Sequence, residues 1–283
     1  MARILIIRFS ALGDVAMTIP VIHSLAVQYP QHEITVLSRA VWQPLFQGLP
    51  ANVGFVGADL TGKHKGLWGL NSLYSELKAM HFDYIADFHH VLRSKYLCLR
   101  FRLANKPVAS ICKGRAGKKK LVRRHDKVME NQKSSFRRYA DVLEKLGLPV
   151  LLNFSSIYGE GKGDFAEIEP VTGPKEDQKW IGIAPFAKHA GKIYPLELQE
   201  QVIAHFAANP KVKVFLFGGG KSEQDVFDAW IAKYPSVVSM IGKLNMRTEL
   251  NLMSHLDVML SMDSANMLSL IHISEPTRRT PIS

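Results

Sequence analysis

The sequence is poor in cysteine, with Cys98 and Cys112 as its two thiols in 283 residues. Two cysteines cannot supply a disulfide framework, a cysteine-rich zinc module or an iron–sulfur site. Their scarcity favours a reducing compartment, so we expect a cytoplasmic protein.

Long apolar runs are also missing. No stretch of about 18 consecutive apolar residues occurs, which excludes a membrane-spanning helix. The first residues, MARILIIRF, resemble the start of a signal peptide, but Arg8 and Asp14 interrupt the apolar stretch. A buried first strand accounts for this segment better.

Acidic residues are scarce in one half of the chain. Residues 1–150 hold 23 Lys and Arg against 10 Asp and Glu, a net charge of +13, whereas residues 151–283 hold 13 against 15, a net charge of −2. The excess is densest at residues 113–127, here called the basic segment, whose glycines predict a mobile loop. The basic segment is either a solvated face or a contact for a phosphate-rich partner: nucleic acid, an anionic membrane or a phosphorylated glycolipid.

Short apolar runs alternate with amphipathic stretches, which predicts parallel βαβ units. The predicted strands are 3–9, 33–37, 83–88, 107–111, 180–185, 212–217, 237–241 and 257–261, and the clearest helices are 136–146, 195–208 and 222–232. Pro20 either opens a helix with Thr18 near its cap or kinks a helix that starts at Asp14. The Gly- and Pro-rich stretch 158–179 is the predicted domain boundary. We therefore predict an α/β protein of two Rossmann-like, doubly wound domains facing a cleft, residues 1–170 and 178–267.

The last 16 residues, 268–283, do not continue the pattern of the second domain. The string LSLIHISEPTR resembles the translation of a sequencing-library adaptor, so we expect native sequence to stop near Met267 and the second domain to be truncated. A genuine flexible tail is the alternative. On the first interpretation we expect this polypeptide to be poorly stable and inactive and its full-length parent to be active; a cooperative, ADP-stabilised thermal transition would contradict this.

Polar groups follow several of the predicted strands. Asp14 comes after the first strand, where doubly wound folds place reacting groups, although it could simply cap a helix. The glycines at 218–220 open a helix and offer N–H groups to a phosphate, but they lack the spacing of a P-loop, and no GxGxxG motif is present for a nicotinamide cofactor. Lys188 and Lys192 follow another strand and could bind a diphosphate.

A cluster of metal-binding residue types occurs at Asp87, His89 and His90. It lacks a clear third and fourth partner, so we expect no metal site. Polar contacts to an acceptor substrate are the preferred interpretation of these positions.

Taken together, six separated segments of the chain resemble the family-nine glycosyltransferases, whose best-known members are ADP-heptose:lipopolysaccharide heptosyltransferases. The segments are RFSALGDVAMTIP at 8–20, DYIADFHHVLRS at 83–94, His125 with FRRYADVLEKLGL at 136–148, IGIAPFAKHAGKIYP at 181–195, FLFGGGKSE at 215–223 and LSMDSANM at 260–267. The resemblance covers essentially residues 1–267 and implies a GT-B architecture, with the acceptor bound mainly by the first domain and the nucleotide sugar by the second.

The resemblance also implies roles for individual residues. Asp14, in the Gly13-Asp14 pair, matches the general base that deprotonates the acceptor hydroxyl, and Lys192 matches the contact to the donor diphosphate. The expected donor set is Lys188, Lys192, Gly219, Gly220, Asp263 and Ser264. The expected acceptor set is Gly13, His89, Arg93, Lys118, Lys119, Lys120, Arg123 and Arg124. The family pattern continues Asp-Ser/Thr-Gly, and Ala265 departs from it.

The function that follows is transfer of a heptose or related sugar from an ADP-sugar to the lipopolysaccharide inner core, with inversion, in building the bacterial cell envelope. We expect no cofactor and no metal ion, because Lys192, Lys188 and helix N-termini can stabilise the leaving diphosphate. The protein should be a cytoplasmic monomer held peripherally at the inner membrane by the basic segment.

Two rival functions remain open. A Rossmann-like nucleic-acid-binding or RNA-modifying protein would use the same basic segment, but residues 113–127 lack the aromatic side chains that stack on bases, so we expect no nucleic-acid partner. A catalytically inert sugar-binding relative is the other rival.

Overall fold

The computed structural model describes residues 1–264 and Met267 and divides the chain into two compact units. The first unit is Met1–Phe154 and the second begins at Ser155. Each unit has a parallel sheet of its own.

The first unit is built on a five-stranded sheet in the order β3-β2-β1-β4-β5, with every neighbouring pair parallel. Its strands are β1 (Arg3–Ile7), β2 (Glu33–Arg39), β3 (Val53–Ala58), β4 (Tyr84–Asp87) and β5 (Val108–Ser110). Because β1 lies at the centre, its apolar run Ile4–Ile7 is buried on both faces.

Helices cover both faces of this sheet. They are α1 (Leu12–Ala16), α2 (Ile19–Gln28), α3 (Gly66–Lys78), α4 (Leu92–Leu103), α5 (Arg115–Leu121) and α6 (Ser135–Glu144), and a 3-10 helix spans Ala40–Phe46. On one face, Leu5 and Ile7 pack in a core with Leu73 of α3 and Leu97 of α4. Since successive strand residues point to opposite faces, Ile4 and Ile6 face the other side, where α2 and α6 pack together.

The second unit repeats this arrangement with a sheet in the order β8-β7-β6-β9. Its described elements are α7 (Glu169–Thr172), β6 (Lys179–Ala184), α8 (Leu196–Ala207), β7 (Val212–Leu216), α9 (Lys221–Lys233), β8 (Val237–Ser239), α10 (Met246–His255) and β9 (Val258–Ser261), with 3-10 helices at Phe165–Glu167 and Ala190–Lys192. One core contains Ile183, Val214 and Phe227, and a second contains Trp180 and Phe215. The predicted α/β class with two doubly wound sheets is confirmed.

The division between the units falls after Phe154, which differs from the predicted first domain of residues 1–170. The Gly- and Pro-rich stretch is held by the second unit. Tyr158 Oη donates to Asn251 Oδ1 at 2.6 Å, and Ile168 is fully buried in the core that contains Trp180. These contacts outweigh the turn-forming composition that suggested a linker.

Two local predictions also change. The basic segment was expected to be a loop, but Arg115–Leu121 form the helix α5, since Lys118, Lys119 and Lys120 are good helix formers. Both alternatives for Pro20 are partly correct, because Asp14 lies in the short helix α1 and Pro20 lies in the first turn of α2 with Thr18 at its N-cap. Pro is tolerated there because a first-turn N–H has no intrahelical partner.

The tail 268–283, together with Ala265 and Asn266, lies outside the described residues, so the foreign origin of the tail stays a prediction. Among the helices that the structure describes, none has the length and apolar character needed to cross a membrane.

Candidate functional site

Asp14 lies in the first turn of α1, directly after the central strand of the first sheet. Its Oδ2 atom accepts a hydrogen bond from the Ala11 backbone N–H at 3.4 Å and lies 2.5 Å from Arg8 Nη2. The side chain is 45% exposed. The carboxylate is therefore held in place on one side and open to a substrate on the other.

Arg8 is the buried partner of this carboxylate, with 9% of its side chain exposed. Its Nη1 donates to the Phe88 carbonyl at 2.8 Å, which connects the end of β1 to the residue after β4. Its Nε has no hydrogen-bond partner within the described part of the chain. A fixed guanidinium thus sets the position of Asp14.

A cavity of about 380 Å³ opens beside Asp14. Four cationic side chains line it, from Arg8, Lys113, Lys118 and Arg138, and they face the single carboxylate of Asp14. Since unpaired positive charges are costly to crowd together, the excess favours an anionic ligand in this cavity.

The protonation of groups in the cavity reflects the same charge. Burial, and next the positive charges of Arg8 and Lys113, lower the pKa of His89 to about 4. The pKa of Lys113 is lowered by burial and then by Arg8 and Arg115. His89 is therefore a neutral imidazole at neutral pH, and its Nδ1 accepts the Phe9 backbone N–H at 3.4 Å.

Helix α6 forms one wall of the cavity. It begins at the N-cap Ser134, whose side chain accepts the Arg137 N–H, and it supplies Arg138 and Tyr139. Tyr139 Oη donates to the Asp14 backbone carbonyl at 3.2 Å, and burial raises the pKa of this phenol to about 12. Tyr139 therefore stays protonated and fixes the backbone of α1.

Asp87 and the two following histidines form a turn at the end of β4. Asp87 Oδ1 accepts the backbone N–H groups of His89 at 2.9 Å and His90 at 2.8 Å, which orients the loop that carries His89. Within residues 1–264 and at Met267, no three His, Cys, Asp or Glu side chains are grouped as a metal ion would require.

The structure brings part of the predicted acceptor set together. His89 and Lys118 line the cavity together with Asp14, the expected base, and Gly13 is buried beside it in α1. The cavity wall, as far as residues 1–264 define it, does not include the other predicted acceptor residues: Arg93, Lys119, Lys120, Arg123 and Arg124.

Arg8, Arg138 and Tyr139 line the cavity but were not singled out from the sequence. Lys113 was expected only as part of the basic segment. Arg8 carried a usable signal, because a cation that directly follows a buried apolar strand needs a partner. For Arg138, the sequence shows a basic residue beside a buried Tyr in a helix, and nothing in that pattern indicates Asp14 as a neighbour.

In the second unit, the predicted donor residues lie at the carboxyl ends of neighbouring strands. Lys192 Nζ lies 2.6 Å from Asp263 Oδ2. This ion pair joins the segment after β6 to the segment after β9, where Asp263 is the second residue. Ser264 Oγ is 3.5 Å from Ser261 Oγ. Lys192 and Asp263, two members of the expected donor set, are therefore in contact, and their role in donor binding stays a prediction.

In the glycine turn after β7, one backbone N–H already has a hydrogen-bond partner within the protein. The Gly219 N–H donates to Glu223 Oε2 at 2.8 Å, and Gly220 has φ +89° where α9 begins. A phosphate at this turn would compete with Glu223 for the Gly219 N–H. Lys188 is exposed in the segment between β6 and Lys192.

Several known proteins resemble this chain in sequence or in fold. The lipopolysaccharide core heptosyltransferase OpsX of Haemophilus influenzae is 26% identical over 98% of this chain and 76% of its own length. The solved structure of E. coli heptosyltransferase WaaC with ADP-2-deoxy-2-fluoro heptose matches with a TM-score of 0.70, at 15% identity over 98% of this chain and 90% of its own. A glycosyltransferase family 9 structure from Veillonella parvula matches with a TM-score of 0.73, at 19% identity over 96% of this chain and 78% of its own.

These structural matches identify the fold as the GT-B fold of the heptosyltransferases. The family profile described as glycosyltransferase family 9 (heptosyltransferase) matches residues 70–279, and so extends into the tail at 268–283. The profile covers most of the chain, and the chain belongs to glycosyltransferase family 9.

Proposed function

We propose that this glycosyltransferase moves a heptose, or a related sugar, from an ADP-sugar to a hydroxyl group of a lipopolysaccharide inner-core acceptor. The names of OpsX and WaaC support the substrate class. The single observation that carries the proposal is the half-exposed carboxylate of Asp14 beside a cavity lined by four cations.

The proposed reaction is a direct displacement at the anomeric carbon. Asp14 takes the proton of the acceptor hydroxyl while the acceptor oxygen bonds to the anomeric carbon, and the bond from that carbon to the diphosphate breaks. ADP leaves from the opposite face, so the configuration inverts. A base is needed because a neutral hydroxyl is a poor nucleophile.

The cationic wall supports an anionic acceptor. Lys113, Lys118 and Arg138 lie around Asp14, where they could bind phosphate or carboxylate groups of an acidic sugar. Placing these anions fixes the distance from the acceptor hydroxyl to the Asp14 carboxylate, and such positioning is a large part of the rate enhancement in group transfer.

The donor would be held by the second unit. Lys192 is paired with Asp263, and a bound diphosphate would replace that carboxylate as the partner of Lys192. Positive charge at this point stabilises the leaving ADP most strongly in the transition state, when its negative charge is greatest. The proposed step uses no cofactor or metal ion.

The proposal includes a location for the reaction. The basic segment, with Lys118, Lys119, Lys120, Arg123 and Arg124, is exposed on the first unit and suits an anionic leaflet. We therefore place the monomeric protein in the cytoplasm, peripherally bound to the inner membrane, where a phosphorylated glycolipid is presented.

The test is transfer of radiolabelled sugar from ADP-heptose to a core acceptor by Asp14→Asn, made in the full-length parent because the 283-residue polypeptide is expected to be inactive. We expect the transfer rate to fall by about 10²–10⁴-fold, the contribution of a positioned general base, while ADP binding by calorimetry is unchanged. The matched control is Asp177→Asn, an exposed aspartate of the second unit. An unchanged rate in Asp14→Asn would remove Asp14 from this role.

The same preparation tests the rival function. Tight RNA binding with a steep salt dependence, together with no affinity for an ADP-sugar, would overturn the glycosyltransferase proposal for this chain in favour of a nucleic-acid-binding protein.

A further inference from the structure

Helix α4 carries an exposed apolar stripe that the proposed reaction does not use. Leu92, Leu99 and Leu103 are 86%, 52% and 73% exposed. At 3.6 residues per turn these three side chains lie within about 40° of one another, over about 16 Å of helix length. They lie opposite Leu97 and Phe101, which pack into the core. The stripe is therefore the outermost line of the helix.

Cations flank this stripe on both sides. By helical position, Lys95 and Arg102 lie on one side of it and Arg93 on the other, and all three are exposed. None of them forms a salt bridge with any residue that the structure describes. The sequence has no Asp or Glu between Asp87 and Asp126, so the positive charge of this region is not neutralised locally.

The start of α3 extends the apolar surface. Leu67 and Trp68 are 70% and 90% exposed. One turn after Trp68, Asn71 Oδ1 accepts hydrogen bonds from Tyr96 and Arg100 of α4. The two helices therefore contact each other at this level. One turn before Tyr96 is Leu92. Leu67, Trp68 and Leu92 therefore lie at the same level, at the starts of two neighbouring helices.

The starts of α3 and α4 lie at the carboxyl edge of the first sheet, which is also the edge that carries Asp14. Both helices follow strands of a parallel sheet, so both begin at the carboxyl edge, as α1 with Asp14 does. We call the set Leu67, Trp68, Leu92, Leu99 and Leu103, with the cations Arg93, Lys95 and Arg102, the interfacial face. The acidic residue on α3 nearest to it in sequence, Glu76, is already paired with Lys63 and His64.

We infer that the interfacial face is a second surface, besides the basic segment, by which this protein lies on an anionic lipid bilayer. Leucines and a tryptophan enter the boundary between headgroups and acyl chains, while flanking Lys and Arg side chains reach the phosphates. A neutral partner surface could cover the leucines, but it would leave the flanking cations without an anionic partner. The inference deepens the proposed function and rests on it for the acceptor that the membrane presents.

The test measures binding of the 283-residue chain to vesicles by co-sedimentation. The vesicles are phosphatidylcholine alone or phosphatidylcholine mixed with phosphatidylglycerol. We expect binding to the mixed vesicles, and a loss of about tenfold or more in Leu92→Ser/Leu99→Ser/Leu103→Ser, since each exposed leucine loses its apolar contact with the bilayer. Arg93→Gln/Lys95→Gln/Arg102→Gln should weaken binding and reduce its salt sensitivity.

The matched control is Val27→Ser/Leu151→Ser, which changes two exposed apolar residues elsewhere on the first unit. It should bind as the unchanged chain does. The leucine variant is also checked for an unchanged melting temperature and ADP affinity, so that loss of binding is not loss of folding.

Several outcomes would overturn the inference. They are equal vesicle binding by the leucine variant and the unchanged chain, no vesicle binding by the unchanged chain, or self-association that the leucine substitutions abolish, which would assign the face to a second copy. Failure of sugar transfer by the full-length parent to a soluble acceptor, with vesicle binding intact, would instead count against the proposed function alone.

Discussion

At the scale of single residues, Arg8 and Asp14 show how a strand end becomes a reactive site. Arg8 ends an apolar run, and burial leaves its guanidinium two partners, the Phe88 carbonyl and the Asp14 carboxylate. Asp14 is the more exposed member of this ion pair. An isolated helix cap would not need a buried cation, so the pair favours the role of a base over that of a cap.

His89 provides a residue-scale prediction about pH. Its pKa in the folded protein is about 4, below the 6.5 of an unfolded histidine, so the unfolded state takes up a proton first as the pH falls. Stability from this residue is complete above pH 6.5 and declines between pH 6.5 and 4, by about 3 kcal/mol in all. His89→Gln should lose less stability than the unchanged chain between pH 7 and pH 4.5, measured by urea unfolding.

The control for this experiment is His125→Gln, an exposed histidine in the basic segment. The other buried histidines are present in every variant, so their contributions cancel. Parallel stability curves for His89→Gln and the unchanged chain would contradict the prediction.

At the scale of elements, Asp257 joins two neighbouring strands of the second sheet. Its Oδ2 accepts the Trp180 N–H at 2.9 Å and lies 2.9 Å from Lys175 Nζ, and its Oδ1 lies 3.0 Å from Lys179 Nζ. Partial burial raises its pKa, but the Trp180 N–H and the two lysines lower it more, so the pKa lies well below its usual range.

Asp257→Asn should therefore destabilise the second unit by about 1–3 kcal/mol at pH 7, the cost of removing a charged hydrogen-bond acceptor. A folded pKa below the unfolded value of about 3.9 means that this stability is present above that pH and is lost as the pH falls through the folded pKa. Denaturant melts should show the gap between variant and unchanged chain closing in acid. Asp177→Asn is the exposed control, and an equal loss in that variant would contradict the role of Asp257.

The elements also show where sequence patterns succeed. The predicted strands are present within a few residues of their expected bounds because each is a short apolar run, and most of these runs are buried. Strand β3 was missed because VGFVGA contains two glycines and is half-exposed. Helix α4 was missed because its leucines occur on its outer side as well as its inner side, which hides the helical period. The residues that obscured the helix are those of the interfacial face.

At the scale of the whole molecule, each unit has hydrophobic cores of its own among the described residues. The core of α3 and α4 draws all its residues from the first unit, and the cores around Ile183 and Trp180 draw theirs from the second. We expect residues 1–154 to fold alone, because the five-stranded sheet and the described helices on both its faces lie within that range. A cooperative urea transition of this fragment, followed by far-UV circular dichroism, is the measurement. A gradual, non-cooperative change would show that the first unit depends on the second.

The sequence by itself determined the family, the alternation of strands and helices in each half, the concentration of positive charge in the first unit, and Asp14 as the candidate base. These features are local, since each depends on a short run of residues with its own period, charge or motif. The tertiary structure decided which cations join Asp14. Arg8 follows β1, Lys113 follows β5 and Arg138 lies on α6, so they are up to 130 positions apart along the chain. They meet because the strand order places β4 between β1 and β5 and packs α6 beside them, a long-range arrangement that local patterns do not encode.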